Sequence, residues 1–269
     1  EAPREPEVML ALGREYLRQG RYGEAEGLLE VAVERLPAST AATAALARVL
    51  GLHLGQAERA FELLHRGLEC CEYTAPLQIV RGELLLEEGA FREARAAFGQ
   101  VIDEPGTAEA ARVGLARTYN AEGIALSERR AYEPAVFAFK RAADLEPEWS
   151  GPHVNLGVVF GRMGRNAKAA EAYAAALERE PDNPIAQFNL GMAHERQGHY
   201  REAVRTFELL LAREGDYPQV RAALANVLGE LGEFDRAVAL LLEELEIDPS
   251  SASAWTSLGL AYICTGNIE

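Results

Sequence analysis

A pattern of small and apolar residues repeats every 34 residues along this chain, and it restricts the folds that the chain can adopt. One leucine position recurs at this interval as Leu156, Leu190, Leu224 and Leu258. A glycine later in each unit recurs as Gly164, Gly198, Gly232 and Gly266. A fixed period of this length indicates a protein built from stacked structural repeats. Because a single repeat cannot bury its own apolar face, neighbouring repeats are predicted to share one continuous core.

The residue types within one unit predict two antiparallel α-helices, and therefore an all-α fold. Gly157 and Ala169 are small, as is needed where two helices cross closely, and larger side chains there would cost roughly 1–3 kcal/mol by overpacking. Gly164 suits the left-handed backbone conformation that ends the first helix. Pro181 cannot continue a helix and is predicted to end the second one.

The identity of the recurring residues resembles a known repeat family. The first half of its pattern, an aromatic residue, Leu-Gly and a tyrosine, is matched by Trp255, Leu258, Gly259 and Tyr262. The second half is matched by Ala135, Phe139, Ala142 and Pro147, and in part by Ala203 and Phe207. On these residues the chain resembles the tetratricopeptide repeat (TPR) proteins over nearly its whole length. The resemblance implies a right-handed superhelical solenoid of antiparallel helix pairs, with about seven full repeats and a partial eighth.

The repeats are predicted to form one solenoid over residues 6–269, after a polar lead-in at residues 1–5. Their predicted ranges are 6–39, 40–74, 75–108, 116–149, 150–183, 184–217 and 218–251, followed by the partial repeat 252–269. In the second repeat, Gly55 and Ala60 fit a register one residue later than Leu46 and Leu50 do. The first helix or the turn of that repeat is therefore expected to be one residue longer.

Seven extra residues, 109–115, separate the third repeat from the fourth. Seven residues make close to two helical turns, so an extension of this length keeps the same helix face in contact. We therefore expect one long helix that begins after Thr107, a suitable N-cap, and continues to about Arg130. In this fourth repeat, Glu122 stands where the pattern has leucine and Arg130 stands at the turn.

The partial eighth repeat has the first half of the pattern without the second. A complete unit needs its second helix to cover Trp255, Leu258 and Tyr262. Terminal repeats are normally polar caps, so we expect the native chain to continue beyond Glu269. The other interpretation is that these three residues form an assembly end, through which the chain self-associates.

The charge and apolar content exclude several functional classes. The chain is 48% hydrophobic and 26% charged, which is typical of a folded protein, and its formal net charge is −15. A net negative charge argues against nucleic-acid binding, which depends on clustered lysine and arginine. No stretch of 18 or more apolar residues is present, so no direct membrane insertion is expected.

Three cysteines do not form a disulfide framework, and we interpret Cys70, Cys71 and Cys264 as packing or surface thiols. These thiols favour a cytoplasmic location, with an exported or periplasmic one left open. Lysine occurs only as Lys140 and Lys168, which is typical of a GC-rich genome, and a bacterial source is expected.

The sequence offers no convincing constellation for catalysis. A helical zinc site needs two histidines four residues apart, whereas His194 and His199 are five apart and Gly198 lies between them. Gly157, Gly161 and Gly164 lack the Lys-Ser/Thr that completes a phosphate loop. We therefore predict no enzyme activity, no metal and no cofactor.

In the TPR family, the first helix of each repeat lines an inner groove. Carried over position by position, the resemblance implies a partner-binding groove formed by Asn120, Ile124, Val154, Val158, Arg162, Ile185, Phe188, Met192, Arg196 and Asn226. Its middle is apolar, as binding surfaces often are, and Phe188 is expected to contribute most. Arg162 and Arg196 would anchor acidic groups of an apolar or amphipathic peptide or helix. The alternative is that the apolar residues only pack the first helices together.

The predicted function is a non-catalytic protein–protein interaction scaffold or adaptor. Some TPR proteins hold acidic peptide C-termini with lysine and asparagine, but the corresponding positions here include Val154 and Phe188, so no such clamp is expected. One alternative is the substrate-recognition arm of a larger enzyme, such as a glycosyltransferase similar to the O-GlcNAc transferases. Asn155 and Asn189 resemble the asparagine ladder of those proteins, whereas Ala223 interrupts it. The other alternative is a self-assembling structural TPR protein.

Overall fold

The computed structural model describes residues 5–214, 217 and 219–265, and every regular element in these ranges is helical. The described residues fall into two compact units. Unit 1 contains Glu1–Ala125 and Asp144–Glu146, and unit 2 contains Leu126–Ala143 and Pro147–Glu269. Most of the predicted lead-in and the predicted turn glycine Gly266 lie outside the described residues. Among the described helices, none combines the length and the apolar content needed to cross a bilayer.

Unit 1 is built from three antiparallel helix pairs and a longer helix that follows them, of which the last three residues belong to unit 2. The helices are α1 (Pro6–Arg18), α2 (Tyr22–Arg35), α3 (Thr40–Arg48), α4 (Ala57–Cys70), α5 (Ala75–Glu87), α6 (Phe91–Gly99) and α7 (Ala108–Glu128). Helix α1 packs on α2, α3 on α4 and α5 on α6, and α3 also contacts α5. The predicted pairs are therefore present, with Leu29, Leu64, Leu77 and Phe98 buried between them.

The irregular second repeat absorbs its extra residue in a π-helical segment, Val49–His53, at the end of α3. The amide of Leu54 donates to the Val49 carbonyl at 3.1 Å, and the amide of Gln56 donates to the Leu50 carbonyl at 2.8 Å. A π-turn is a wider helical turn, so it can hold one more residue within a continuous helix. The expected extension thus lies in the first helix and its turn, and Leu50 stays buried.

The long helix expected across residues 109–115 is confirmed as α7, which begins at Ala108. The Thr107 carbonyl accepts the Ala111 amide at 2.8 Å, as it does for the residue that precedes a helix. The Thr107 hydroxyl donates to the Glu104 carbonyl at 3.4 Å, so this side chain closes the turn that precedes α7. Glu122, at a position where the pattern has leucine, pairs with Arg95 of α6, whose guanidinium lies 5.3 Å from the Tyr119 ring centroid.

Unit 2 repeats the same helix pairs. Its elements are α8 (Tyr132–Leu145, of which the last two residues belong to unit 1), α9 (Ser150–Arg162), α10 (Asn166–Arg179), α11 (Pro184–Arg196), α12 (Tyr200–Glu214), α13 (Val220–Glu230), α14 (Phe234–Ile247) and α15 (Ala252–Thr265). Helices α9, α11, α13 and α15 contact one another in that order. We call these four helices the first-helix row.

The small residues of the pattern lie where helices approach most closely, as predicted. A methyl group built on Gly157 would lie 2.6 Å from Cδ1 of the Tyr173 ring, and one built on Gly191 would lie 2.7 Å from Cζ of Phe207. Ala169 is also fully covered by its neighbours. Any side chain at the two glycines would therefore force an aromatic ring to move.

The turn after each first helix has a left-handed backbone. Described glycines at this turn have positive φ, which is 72° at Gly164, 75° at Gly198 and 79° at Gly232. Arg130 occupies the same turn of the fourth repeat with φ of 61°. A side chain in this conformation brings its Cβ close to the following carbonyl oxygen, which costs about 1–2 kcal/mol.

Replacing Arg130 with glycine should raise the free energy of unfolding of unit 2 by about 0.5–1 kcal/mol. The strain of about 1–2 kcal/mol is relieved, and the greater freedom of glycine in the unfolded chain offsets part of the gain. Urea denaturation, monitored by hydrogen exchange of the amides in α8 and α9, measures this change in the free energy of unfolding. Gly164→Ala is the control, and it should lower the free energy of unfolding. A loss of stability in Arg130→Gly would show that this turn is not strained.

Candidate functional site

The ten predicted groove residues are divided between the two units. Asn120 and Ile124 lie on α7 in unit 1, where Ile124 is exposed. The other eight lie on α9, α11 and α13 of the first-helix row in unit 2. Because α11 contacts both α9 and α13, these eight residues lie on adjacent helices of unit 2.

The most exposed apolar side chain of this set is Ile185, at the start of α11, which is 52% exposed. Val154 and Val158 on α9 are half-buried, and their covered surfaces pack against the α8–α10 core. On α9 and α11, the predicted groove thus has one exposed aliphatic side chain, Ile185, and two half-buried valines.

Phe188 and Met192 are less available than the sequence suggested. Both are half-buried and pack against the core that α12, α13 and α14 form. The Phe188 ring centroid lies 5.8 Å from that of Phe207 and 5.6 Å from that of Tyr217. Aromatic rings at these distances attract each other, so much of the contribution of Phe188 is to the fold itself.

Arg162 and Arg196 are both exposed, at equivalent positions on α9 and α11. Arg162 donates from Nη1 to the Ser127 hydroxyl at 3.0 Å. Among the described residues, neither guanidinium forms a salt bridge with a carboxylate. Burial raises the pKa of Tyr173 to about 12, while the positive charges of Arg196 and Arg162 oppose that rise. The two cations therefore lie near the Tyr173 ring, a residue that the sequence indicated only for packing.

A cleft of about 650 Å³ lies at the other side of α11, and its polar lining includes Glu195, Asn226, Glu230 and Ser257. The Ser257 hydroxyl and the Asn226 Oδ1 are 2.8 Å apart, and the hydroxyl donates across from α15 to α13. Burial raises the pKa of the Glu195 carboxyl, the charge of Arg196 opposes this, and the charge of Glu230 adds to it. The first-helix row thus carries positive charge near α9 and negative charge near α13.

Replacing Glu195 with glutamine should stabilise unit 2 at neutral pH and have no such effect in acid. The folded pKa of this carboxyl is raised above its unfolded value, so the folded protein holds the proton more tightly and loses stability as pH rises through that window. Glutamine removes this loss. The gain should disappear below the ordinary glutamate pKa of about 4.3. Thermal unfolding of both proteins between about pH 3 and about pH 8 measures this difference in stability, and a difference that does not depend on pH would contradict the assignment.

The predicted assembly end is only partly exposed. Trp255 is 57% exposed, and its Nε1 donates to the Pro249 carbonyl at 3.0 Å. Leu258 is buried, and Tyr262 packs against the core of α13 and α14. The surface of Leu258 is therefore already covered within unit 2. Leu260 and Ile263, which the pattern did not indicate, are exposed on the same helix.

The histidines considered for a metal site lie beside each other without completing one. The ring centroids of His194 and His199 are 6.2 Å apart. Burial lowers the pKa of His194, and the nearby His199 lowers it further. In the described part of the chain, no three side chains of histidine, cysteine, aspartate or glutamate are placed to hold a metal ion.

Comparison with known protein families identifies the same type of repeat along most of the chain. One sequence model of the tetratricopeptide repeat matches residues 154–219 and 222–269, and a second matches residues 6–49. No curated protein sequence matches significantly.

Several solved structures share the fold. The C-terminal part of a TPR repeat-containing protein from Cytophaga hutchinsonii has a TM-score of 0.72 and 14% identity, covering 93% of this chain and 99% of its own. YrrB, described as a TPR protein with an unusual peptide-binding site, has a TM-score of 0.56 and 18% identity, covering 72% and 96%. A TPR protein from Parabacteroides merdae ATCC 43184 has a TM-score of 0.51 and 14% identity, covering 95% and 98%.

Proposed function

This chain belongs to the tetratricopeptide repeat family, whose repeats indicate a protein-interaction scaffold in general, and we propose that it is a non-catalytic adaptor. Its binding surface is the first-helix row of unit 2. The ligand is a peptide or helix of a partner protein with an apolar face and an acidic group.

The observation that carries this proposal is that α9 and α11 present the exposed Ile185 at the start of α11 and, at their ends, Arg162 and Arg196, which form no salt bridge with a described carboxylate. An exposed apolar side chain gains free energy when a partner covers it, at roughly 25 cal/mol per Å² of apolar area. Arg162 and Arg196, both exposed, can each donate charge-assisted hydrogen bonds to a carboxylate. An amphipathic segment satisfies both requirements at once.

The half-buried valines of α9 extend the apolar contact. Val154 and Val158 keep part of their surface open while their remaining surface is fixed by the α8–α10 core. Side chains that are already held in place lose little conformational entropy on binding. YrrB has the same fold and is reported to have a peptide-binding site, which supports the proposal that the ligand is a peptide.

The variant that tests the proposal is Ile185→Glu, compared with Leu209→Glu as a matched control. Ile185 is 52% exposed on α11, and Leu209 is 50% exposed on α12, outside the first-helix row. Both variants add one charge at an exposed apolar position, so both should keep the fold. Phe188→Glu is unsuitable because this ring packs on Phe207 and Tyr217.

Affinity capture from the lysate of the source organism, with quantification of each retained protein, gives the readout. We expect Ile185→Glu to weaken retention of a specific partner by about tenfold or more, and Leu209→Glu to retain it like the unmodified chain. Equal retention by all three proteins would place binding elsewhere. Greater loss in Leu209→Glu would move the surface to the second helices.

A further inference from the structure

Two adjacent cysteines, Cys70 and Cys71, lie where α4 ends in unit 1. Cys70 is the last residue of the helix and is exposed, whereas Cys71 is buried. Their thiols are hydrogen-bonded to each other, and the Cys71 thiol is also hydrogen-bonded to Thr40. Soft ions prefer sulfur ligands and bind them as thiolates. We propose that Cys70 and Cys71 form a site that chelates one soft, thiophilic ion through both sulfurs.

The backbone at the end of α4 allows the two side chains to meet. Within a helix, adjacent side chains diverge and do not face each other. The helix ends at Cys70, however, and Cys71 has an extended backbone with φ of −90° and ψ of 135°. Burial raises the pKa of the Cys71 thiol, the hydrogen bond with Thr40 opposes this rise, and the nearby Cys70 adds to it. The two thiols are therefore neighbours in space as well as in sequence.

The spacing of the two residues favours a bridging ion over a disulfide. Adjacent Cα atoms are about 3.8 Å apart across a trans peptide bond, whereas the Cα atoms of a disulfide are usually about 4.4–6.8 Å apart. A direct sulfur–sulfur bond of about 2.05 Å would therefore strain the backbone. An ion with metal–sulfur bonds of about 2.3 Å lets the sulfurs stay as much as about 4.6 Å apart, which is twice that bond length. Chelation thus joins the two sulfurs without drawing them into direct contact.

The hydrogen bond that Cys70 makes to the preceding repeat does not explain a thiol at this position. The Cys70 thiol donates to the Pro37 carbonyl, with Sγ 3.4 Å from the oxygen, and a thiol is a weak donor. In unit 2, Arg213 makes the corresponding bond, from Nη1 to the Pro181 carbonyl at 2.6 Å. A guanidinium is the stronger donor because its hydrogen bond is charge-assisted. What a thiol adds at the end of α4 is affinity for soft ions.

An ion can reach Cys70 from solvent through a cleft of about 530 Å³ between α2, α3 and α4. Cys70 lines this cleft together with Leu63 and Gly67 of the same helix. A metal site needs an entry path of this kind. Among the described residues, no third histidine, cysteine, aspartate or glutamate is grouped with the two cysteines. The site therefore suits an ion that binds through two sulfurs, such as Cu(I) or a trivalent arsenic that carries an organic group.

Binding of either ion requires no oxidant or reductant. Cu(I) forms two copper–sulfur bonds, and the two thiol protons pass to solvent. Phenylarsine oxide forms two arsenic–sulfur bonds, and its oxygen leaves with the two thiol protons as water. Copper and arsenic both keep their oxidation states, so the two reagents probe the same pair of sulfurs.

Intact-mass spectrometry of the reduced chain with phenylarsine oxide tests the proposal. We expect one phenylarsenic group per chain, which the dithiol 2,3-dimercaptopropanol removes and an equal thiol concentration of 2-mercaptoethanol does not. Cys70→Ser should weaken binding by about 100-fold or more, because a single thiol cannot chelate. Cys264→Ser is the matched control, since Cys264 is also exposed, and it should change the affinity by less than about twofold.

Cys71→Ala should cause the same loss as Cys70→Ser. Because Cys70 is exposed, Cys70→Ser tests the site even where Cys71→Ala does not fold. Equal binding by Cys70→Ser and the unmodified chain would overturn the proposal, and so would loss of binding in Cys264→Ser.

Anaerobic titration with Cu(I) in competition with bathocuproine disulfonate distinguishes the two ions. One Cu(I) per chain, lost in Cys70→Ser, assigns the site to copper. Arsenical binding without Cu(I) binding assigns it to trivalent arsenic. Absence of binding by both reagents would overturn the proposal.

Discussion

Replacing Phe98 with alanine is expected to lower the free energy of unfolding of unit 1 by about 3–5 kcal/mol. Phe98 is fully buried. A methyl group built on Gly82 would lie 2.7 Å from Cζ of this ring, and one built on Gly114 would lie 2.5 Å from the same atom. The ring therefore fills the space that two glycines leave on α5 and α7. Its removal opens a cavity that these helices can close only by moving.

Native-state hydrogen exchange of the amides in α5 and α6 measures this loss in unit 1 directly. Phe137→Ala is the control, because Phe137 is 63% exposed on α8 and the same chemical change should cost less than about 0.5 kcal/mol. Adding Gly82→Ala to Phe98→Ala should restore part of the stability by filling the cavity. A loss of less than about 1 kcal/mol in Phe98→Ala would contradict the close packing described for unit 1.

Replacing Gly191 with leucine is expected to destabilise unit 2 by about 1–3 kcal/mol, at the upper end of that range. The Cβ alone would lie 2.7 Å from Cζ of Phe207, which is fully buried and cannot move into solvent. The better helix propensity of leucine recovers less than about 1 kcal/mol. The steric cost therefore exceeds the gain.

Gly259 provides the matched control for this prediction, because it occupies the same position of the pattern on α15. A methyl group built there meets no atom within 4 Å. Gly259→Leu should therefore leave the urea midpoint of unit 2 unchanged or raise it. The double variant Gly191→Leu, Phe207→Ala should cost less than the sum of its single variants, because the smaller side chain makes room. Additive losses would show that Gly191 and Phe207 do not share this space.

The repeat pattern in the sequence predicted the packing of the helix pairs because each recurring residue has a local physical cause. Gly157 is small because Tyr173 lies against it, and Gly164 ends α9 because its φ is 72°. The sequence also showed which residues depart from the pattern, but it did not show which contacts accommodate them in the fold. The sequence showed Glu122 in place of leucine, whereas its partner Arg95 lies 27 residues earlier and no periodicity relates the two.

The candidate site was predictable as a set of helices, but the exposure of each side chain was not. The register places Phe188 and Ile185 on the same helix without indicating which one remains open. Phe188 is covered partly by Tyr217, which follows α12 in a segment that the pattern describes poorly. Coverage by such a residue depends on the path of the chain between helices, and the repeat spacing does not determine that path.

Hydrogen exchange of the full chain, with and without a captured partner, tests the central claim that the first-helix row of unit 2 binds protein. We expect slower exchange in α9, α11 and α13, with little change in α10 and α12. The Ile185→Glu chain should show no such protection at the same partner concentration. Protection confined to α10, α12 and α14 would contradict the account, because it would place the partner on the second helices.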